Sequence, residues 1–160
     1  MAADLFLKLD GIQGESLDKA HKGEIELESF SWGESNAAPP AGGGGGAGKV
    51  QVQDLHVVAH VNKASPTLML ACATGKHLKE AVLTARKAGK GQQEFLVFKF
   101  TDVLVSSYQI SGTGQGDTPP TDAIAFNFGK IEMEYRPQKA DGTLDQSVKA
   151  GWDIKKNEPA

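Results

Sequence analysis

Apolar and polar positions alternate with period two along most of this chain, the spacing of strands with one buried face. In DLFLKLD, Leu5, Leu7 and Leu9 share a face, and GIQGES then supplies turn residues. In EIELESFSWG, Ile25 and Leu27 face one way and Glu24, Glu26 and Glu28 the other, yet Phe30 and Trp32 fall on the glutamate phase. A one-residue shift sends every side chain to the opposite face. The pattern therefore predicts a β-bulge near Ser29, which keeps Phe30 and Trp32 on the core side and leaves Ser31 with the glutamates. The same slip recurs near Gln53, between Val50/Val52 and Leu55/Val57/Val61, and at Gly129, between Ile124/Phe126/Phe128 and Ile131/Met133/Tyr135. Long strands that each bend once predict a strongly coiled sheet, closed as a barrel or split into two packed sheets.

Between the strands, SPTLMLACATG carries the marks of a helix, with Ser65 placed as N-cap, Pro66 at the first helical position and Gly75 just past the end. KHLKEAVLTARKAG is ambiguous, and propensity favours helix. QEFLVFKFTDVLVSSYQI is apolar on both phases at first, which predicts a central strand covered on both sides. SGTGQGDTPPTD is a loop, and the polar tail from Arg136 is expected to dock through its lone Trp152.

Length sets the scale: 160 residues suit one domain spanning 1–160, able to bury roughly 68–70% of its unfolded surface without a staple. A net charge of −3 argues against a general nucleic-acid partner. The single cysteine, Cys72, cannot form an intrachain disulfide. MAADLFLKLD has no basic region followed by a long apolar core, and no apolar run approaches the ~18 residues of a membrane span, so neither a cleavable signal nor a membrane partner is expected.

Candidate chemistry is sparse. In GGGGGAGKV, Gly43, Gly48 and Lys49 match the G-x-x-x-x-G-K spacing of a phosphate-binding loop. The position after the lysine, which must offer a hydroxyl to Mg²⁺, is Val50, and the flanks SNAAPPA and VQVQ are a turn and a strand where a strand and a helix are required. A loop joining two strands is the better reading. His56 and His60 have helical ligand spacing, but a strand would set them roughly 13 Å apart, as two surface histidines. Cys72 reads as a small packed thiol beside Leu68 and Met69. There is no G-x-S-x-G elbow, SGTGQGD lacks the dinucleotide spacing, and the alternating glutamates read as a wet strand face. Aromatics alternate with Glu, Ser and Asn instead of Lys and Arg, which disfavours a nucleic-acid barrel. The expectation is a protein without catalytic residues, metal or cofactor: an assembly subunit or a ligand-binding barrel.

Over nearly its whole length the chain resembles the haemolysin-coregulated protein (Hcp) family, the tube subunit of bacterial type VI secretion. The resemblance lies in QGESLDKAHKGEIELESFSWG, GGGGGAGKVQVQDL, LMLACATGKHLKEAVLTARKAG, VLVSSYQISG and YRPQKADGTLDQSVKAGWDIKKN, in that order and spacing. It implies a mainly β fold, a barrel of two packed antiparallel sheets with one short flanking helix, and it makes EAVLTARKA a strand, against propensity. It implies homohexameric rings stacked into a hollow tube, with a spike protein at the tip, a contractile sheath around it and effector proteins as cargo. It also implies a protein held in the bacterial cytoplasm and then secreted. The glycine-rich hairpin (Gly42, Gly43, Gly44, Gly45, Gly46, Ala47, Gly48, Lys49) is implied to touch neighbouring copies, and Ser31 to line the lumen and meet cargo.

Overall fold

The structure is a computed structural model that describes residues 3–37, 49–88 and 91–160. The order is β1 (Ala3–Leu9), β2 (Ile25–Leu27), β3 (Ser29–Ser31), β4 (Glu34–Asn36), β5 (Val50–Val52), β6 (Leu55–His60), α1 (Ser65–Thr74), β7 (His77–Lys87), β8 (Glu94–Ser111), β9 (Thr121–Tyr135), β10 (Val148–Asp153) and β11 (Glu158–Pro159). One antiparallel sheet runs β11-β10-β9-β8-β7-β1-β2, with β6 also on β9 and β3 on β6, while β4 and β5 form a separate ribbon. The fold is the expected mainly β one.

The slip in EIELESFSWG is larger than a bulge. The strand breaks at Glu28 and changes partner: β2 pairs with β1, whereas β3 pairs with β6. The Glu28 amide donates to the Val58 carbonyl at 2.7 Å across this corner. The sheet thus curls back on itself through a strand that switches sides, and not through one uninterrupted ladder. At Gln53–Asp54 the chain makes a second switch, from β5 on β4 to β6 on β3 and β9. Val61, grouped with β6 by its phase, lies beyond the strand and is exposed.

At Gly129 there is no bulge, because three strands slip together. Buried positions run Leu78 then Ala81 on β7, Phe100 then Val103 on β8, and Phe128 then Ile131 on β9. The register keeps Leu78 on Val103 and Val103 on Phe128, so Lys79, Asp102 and Gly129 are the extra residues, opposite one another. Asp102 takes the left-handed backbone, φ 57°. Its carboxylate pairs with the Lys155 ammonium and lies 2.9 Å from His77 Nδ1. Lys155 first, then His77, holds it below the usual carboxylate range. The register shift in this hairpin comes instead between Val105 and Ser107.

One core gathers Leu7, Leu55, Leu68, Leu83, Phe100 and Phe126 from five strands and the helix. β8 is central, between β7 and β9, but within one chain it is not covered on both sides: Phe98 and Phe100 are buried, Phe95 and Val97 only half-buried. Within KHLKEAVLTARKAG, His77–Lys87 is strand β7 and not the helix its propensity favours, since pairing on both sides with β1 and β8 outweighs a few tenths of a kcal/mol per residue. The tail is more than a docked polar segment: Val148–Asp153 extends the sheet along β9, with Trp152 packed on the core.

The helix begins one residue earlier than its cap pattern suggests. Ala64 is the N-cap and makes no side-chain cap bond, while Gly75 closes the C-terminus in the left-handed region, φ 67°. The Ser65 hydroxyl is engaged elsewhere, donating to buried Asp122 Oδ2 at 2.5 Å and accepting from the Asn62 amide at 3.0 Å. Tyr108 Oη donates to the other Asp122 oxygen at 2.7 Å, and burial, then Asp122, pushes the phenol up. This staple joins α1, β8 and β9.

Candidate functional site

Ser31 sits between two aromatics that turn inward. The Phe30 ring is 5.8 Å from Phe98, and Trp32 lies 6.5 Å from Phe98 and 6.4 Å from Phe128. Trp32 Nε1 donates to the Gln53 carbonyl at 2.9 Å, which fixes the indole. Alternation along β3 then leaves Ser31 exposed on the opposite face.

Strand pairing shows what surrounds it, because residues opposite one another on antiparallel strands share a face. Ser31 pairs with His56, His56 with Ala125, and Ala125 with Ser107. The next row is Ser29, Val58, Ala123 and Gln109, and the one after it His60, Thr121 and Ser111. These rows hold hydroxyls, an amide, small apolar groups and two imidazoles, with no Lys, Arg, Asp or Glu. Charges border the surface and are paired there: Glu28 lies 2.8 Å from His60 Nε2, and Asp54 accepts from Ser106 at 2.6 Å and Asn127 at 3.1 Å. The result is a nearly neutral polar face across four strands. His56, dismissed in the sequence as an isolated surface residue, is the cross-strand neighbour of Ser31; the i, i+4 reading hid this because only pairing relates β3 to β6.

The glycine-rich segment Gly42–Gly48 lies outside the described residues, so its expected contacts have no geometry here. Lys49, just beyond it, is exposed at the start of β5.

A second polar cluster was not legible in the sequence. The segment joining β1 to β2, residues 10–24, folds over Phe6 on the side of β1 away from the core. Arg86, buried in β7, donates to both Asp18 oxygens at 3.0 and 2.6 Å and to Asp4 at 3.4 Å. Its guanidinium lies 4.8 Å from the Phe6 ring centroid, and the His21 ring stacks on Phe6 at 4.3 Å. His21 Nδ1 is 3.0 Å from Glu24 and Nε2 is 2.6 Å from Glu94. The Arg86 guanidinium holds the Asp18 carboxyl far below the usual carboxylate range, and Asp18 raises Arg86 in return. Among the described residues the Arg86 Nε is left without a hydrogen bond, while its two terminal nitrogens and the His21 ring are engaged by carboxylates; the cluster presents no nucleophile and is a clamp. Among the described residues no three His, Cys, Asp or Glu side chains gather as a metal site, and no helix is long and apolar enough to cross a membrane.

Comparison with known proteins bears on what this surface is for. The family described as "Type VI secretion system effector, Hcp" matches residues 6–135. Protein hcp1 of Pseudomonas aeruginosa is 46% identical over 160 residues, covering 98% of each chain. A solved type six secretion system protein superposes with a TM-score of 0.93 at 33% identity, over 99% of this chain and all of that one. Hcp1 from Salmonella typhimurium gives 0.81 at 34% identity, over the whole of both chains.

Proposed function

The chain belongs to the Hcp family of type VI secretion proteins, and from that premise we propose that it is a subunit of the secretion inner tube, forming homohexameric rings that stack and are themselves secreted. The observation that carries this reading is the face around Ser31. A wall shared by six copies must be soluble when empty, smooth enough for passage and free of a strong field. Small hydroxyl, alanine and amide side chains, with charges confined to the border, meet those demands. The same face is where effector proteins are held, through Ser31 and its row. The glycine-rich hairpin, Gly42 to Lys49, contacts neighbouring copies, and the assembled tube meets a spike protein at its tip and a contractile sheath around it. The protein's role is structural, with no catalytic step of its own.

Native mass spectrometry and electron microscopy test the assembly: six copies around a central hole are expected. A monomer from micromolar to millimolar concentration overturns the tube and favours a ligand-binding barrel. Ser31→Gln tests the face. It should keep the hexamer while reducing the amount of effector that co-purifies, because six enlarged side chains enter the channel at one height. Undiminished effector retention would remove Ser31 from the binding surface.

A further inference from the structure

The extended sheet ends at two opposite edges, β2 beyond β1 and β11 beyond β10. Near each edge lies a feature that a single chain leaves unfinished. In the segment between β1 and β2, Leu17 has 88% of its surface exposed. A scattered surface leucine needs no explanation, but this one is held outward by its neighbours. Ser16 before it is buried, with its amide donating to the Glu24 carbonyl at 3.0 Å and its carbonyl accepting the Gly23 amide at 2.8 Å. Asp18 after it is gripped by Arg86. The clamp over Phe6 therefore fixes an apolar knob in water.

Toward the other edge, the base of the β4–β5 ribbon and strands β9 and β10 enclose an open cleft of about 650 Å³. Trp32, Val50, Ile131, Met133 and Trp152 wall it, and Glu34 is the one charged residue among the described residues that line it. Met133 is 43% exposed there, so an apolar wall also stands in water.

We propose that Leu17 of one copy seats in the Trp32–Trp152 cleft of a second copy. Charge matches as well as shape: Lys19 and Lys22, exposed beside Leu17, have no ion-pair partner among the described residues, and neither does Glu34. Glu15 is the one acid exposed immediately before the knob, and Asp18 and Glu24 are taken up by Arg86 and His21. Knob and cleft are different surfaces, with β8 and β7 between β9 and β1 in the sheet order, and Leu17's own exposure shows that it does not fill its own cleft. The contact is head-to-tail, so each copy offers the next one what it receives.

This inference rests on the reading that the chain assembles with itself, and the test separates the two. In a Cys72→Ser background, Leu17→Cys and Met133→Cys are made as separate variants and co-expressed, then treated with a short bis-maleimide, which alkylates one thiol at each end. A covalent dimer is expected from the pair and none from either alone. Leu17→Ser should weaken self-association about tenfold or more, the affinity equivalent of one leucine burial per contact, while circular dichroism and melting of the dissociated chain stay unchanged. If the unmutated protein forms rings but the pair does not cross-link and Leu17→Ser assembles as well as the native chain, the knob-and-cleft contact is wrong and the tube reading stands. If the unmutated protein is monomeric throughout, both fall.

Discussion

Replacing Ser65 by aspartate separates two accounts of the same residue. As an N-cap, Ser65 could become Asp at almost no cost, because the two rank together at that position. In the structure, Ser65 is 4% exposed, Asp122 is fully buried, and the serine hydroxyl is one of two donors to that carboxylate. A second carboxylate at position 65 would face Asp122 at about 4 Å. At an effective dielectric of about 20 that repulsion is about 4 kcal/mol, and loss of the serine's hydrogen bond adds about 1 kcal/mol. Ser65→Ala removes the donor to Asp122 and the acceptor of the Asn62 amide without adding a charge, and should cost about 1–3 kcal/mol. At about 2–4 °C per kcal/mol for a chain of this size, Ser65→Asp should melt about 10–20 °C below the native protein, well below Ser65→Ala. Urea unfolding at fixed protein concentration measures both, since self-association would otherwise shift the midpoint. If Ser65→Asp lies within about 1 kcal/mol of native, or above Ser65→Ala, the staple does not hold the helix and the cap reading is right.

Acid should loosen the clamp over Phe6. Asp18 titrates far below its unfolded value, so its contribution is complete above about pH 4 and lost as pH falls toward the folded value; thermal melts from pH 7 to 2 should show a slope that Arg86→Met flattens. Gly14→Ala should cost about 1–3 kcal/mol, because its Cβ would stand 2.5 Å from the Glu24 carbonyl oxygen, whereas Gly129→Ala meets the flexible end of Lys155 at 3.0 Å and Asp102 at an ordinary 3.5 Å and should cost less; paired urea titrations compare them. Trp152→Phe should be better tolerated than Trp32→Phe, since Trp152 Nε1 is buried without a partner among the described residues and Trp32 Nε1 bonds the Gln53 carbonyl; equal losses in denaturation midpoint would contradict that assignment.

Period-two alternation and the placement of its slips were enough to establish, from residues alone, that this is a β protein with bent strands and that Ser31 points away from Phe30 and Trp32. These properties are local: a side chain's face depends on its parity within a strand, and a slip is visible wherever two apolar phases meet. What each slip does was not local. The slip at Glu28 is a change of partner, that near Gln53 another, and that at Gly129 a kink shared with Asp102 and Lys79, which pairing alone reveals. Propensity failed at EAVLTARKA because two neighbouring strands decided its state, and the cap pattern failed at Ser65 because a carboxylate 57 residues away claimed the hydroxyl. His56 beside Ser31, the Arg86 clamp and the cleft near Trp152 all depend on contacts between distant segments. Such contacts follow from the register and curl of the assembled sheet, and no window of the sequence contains them.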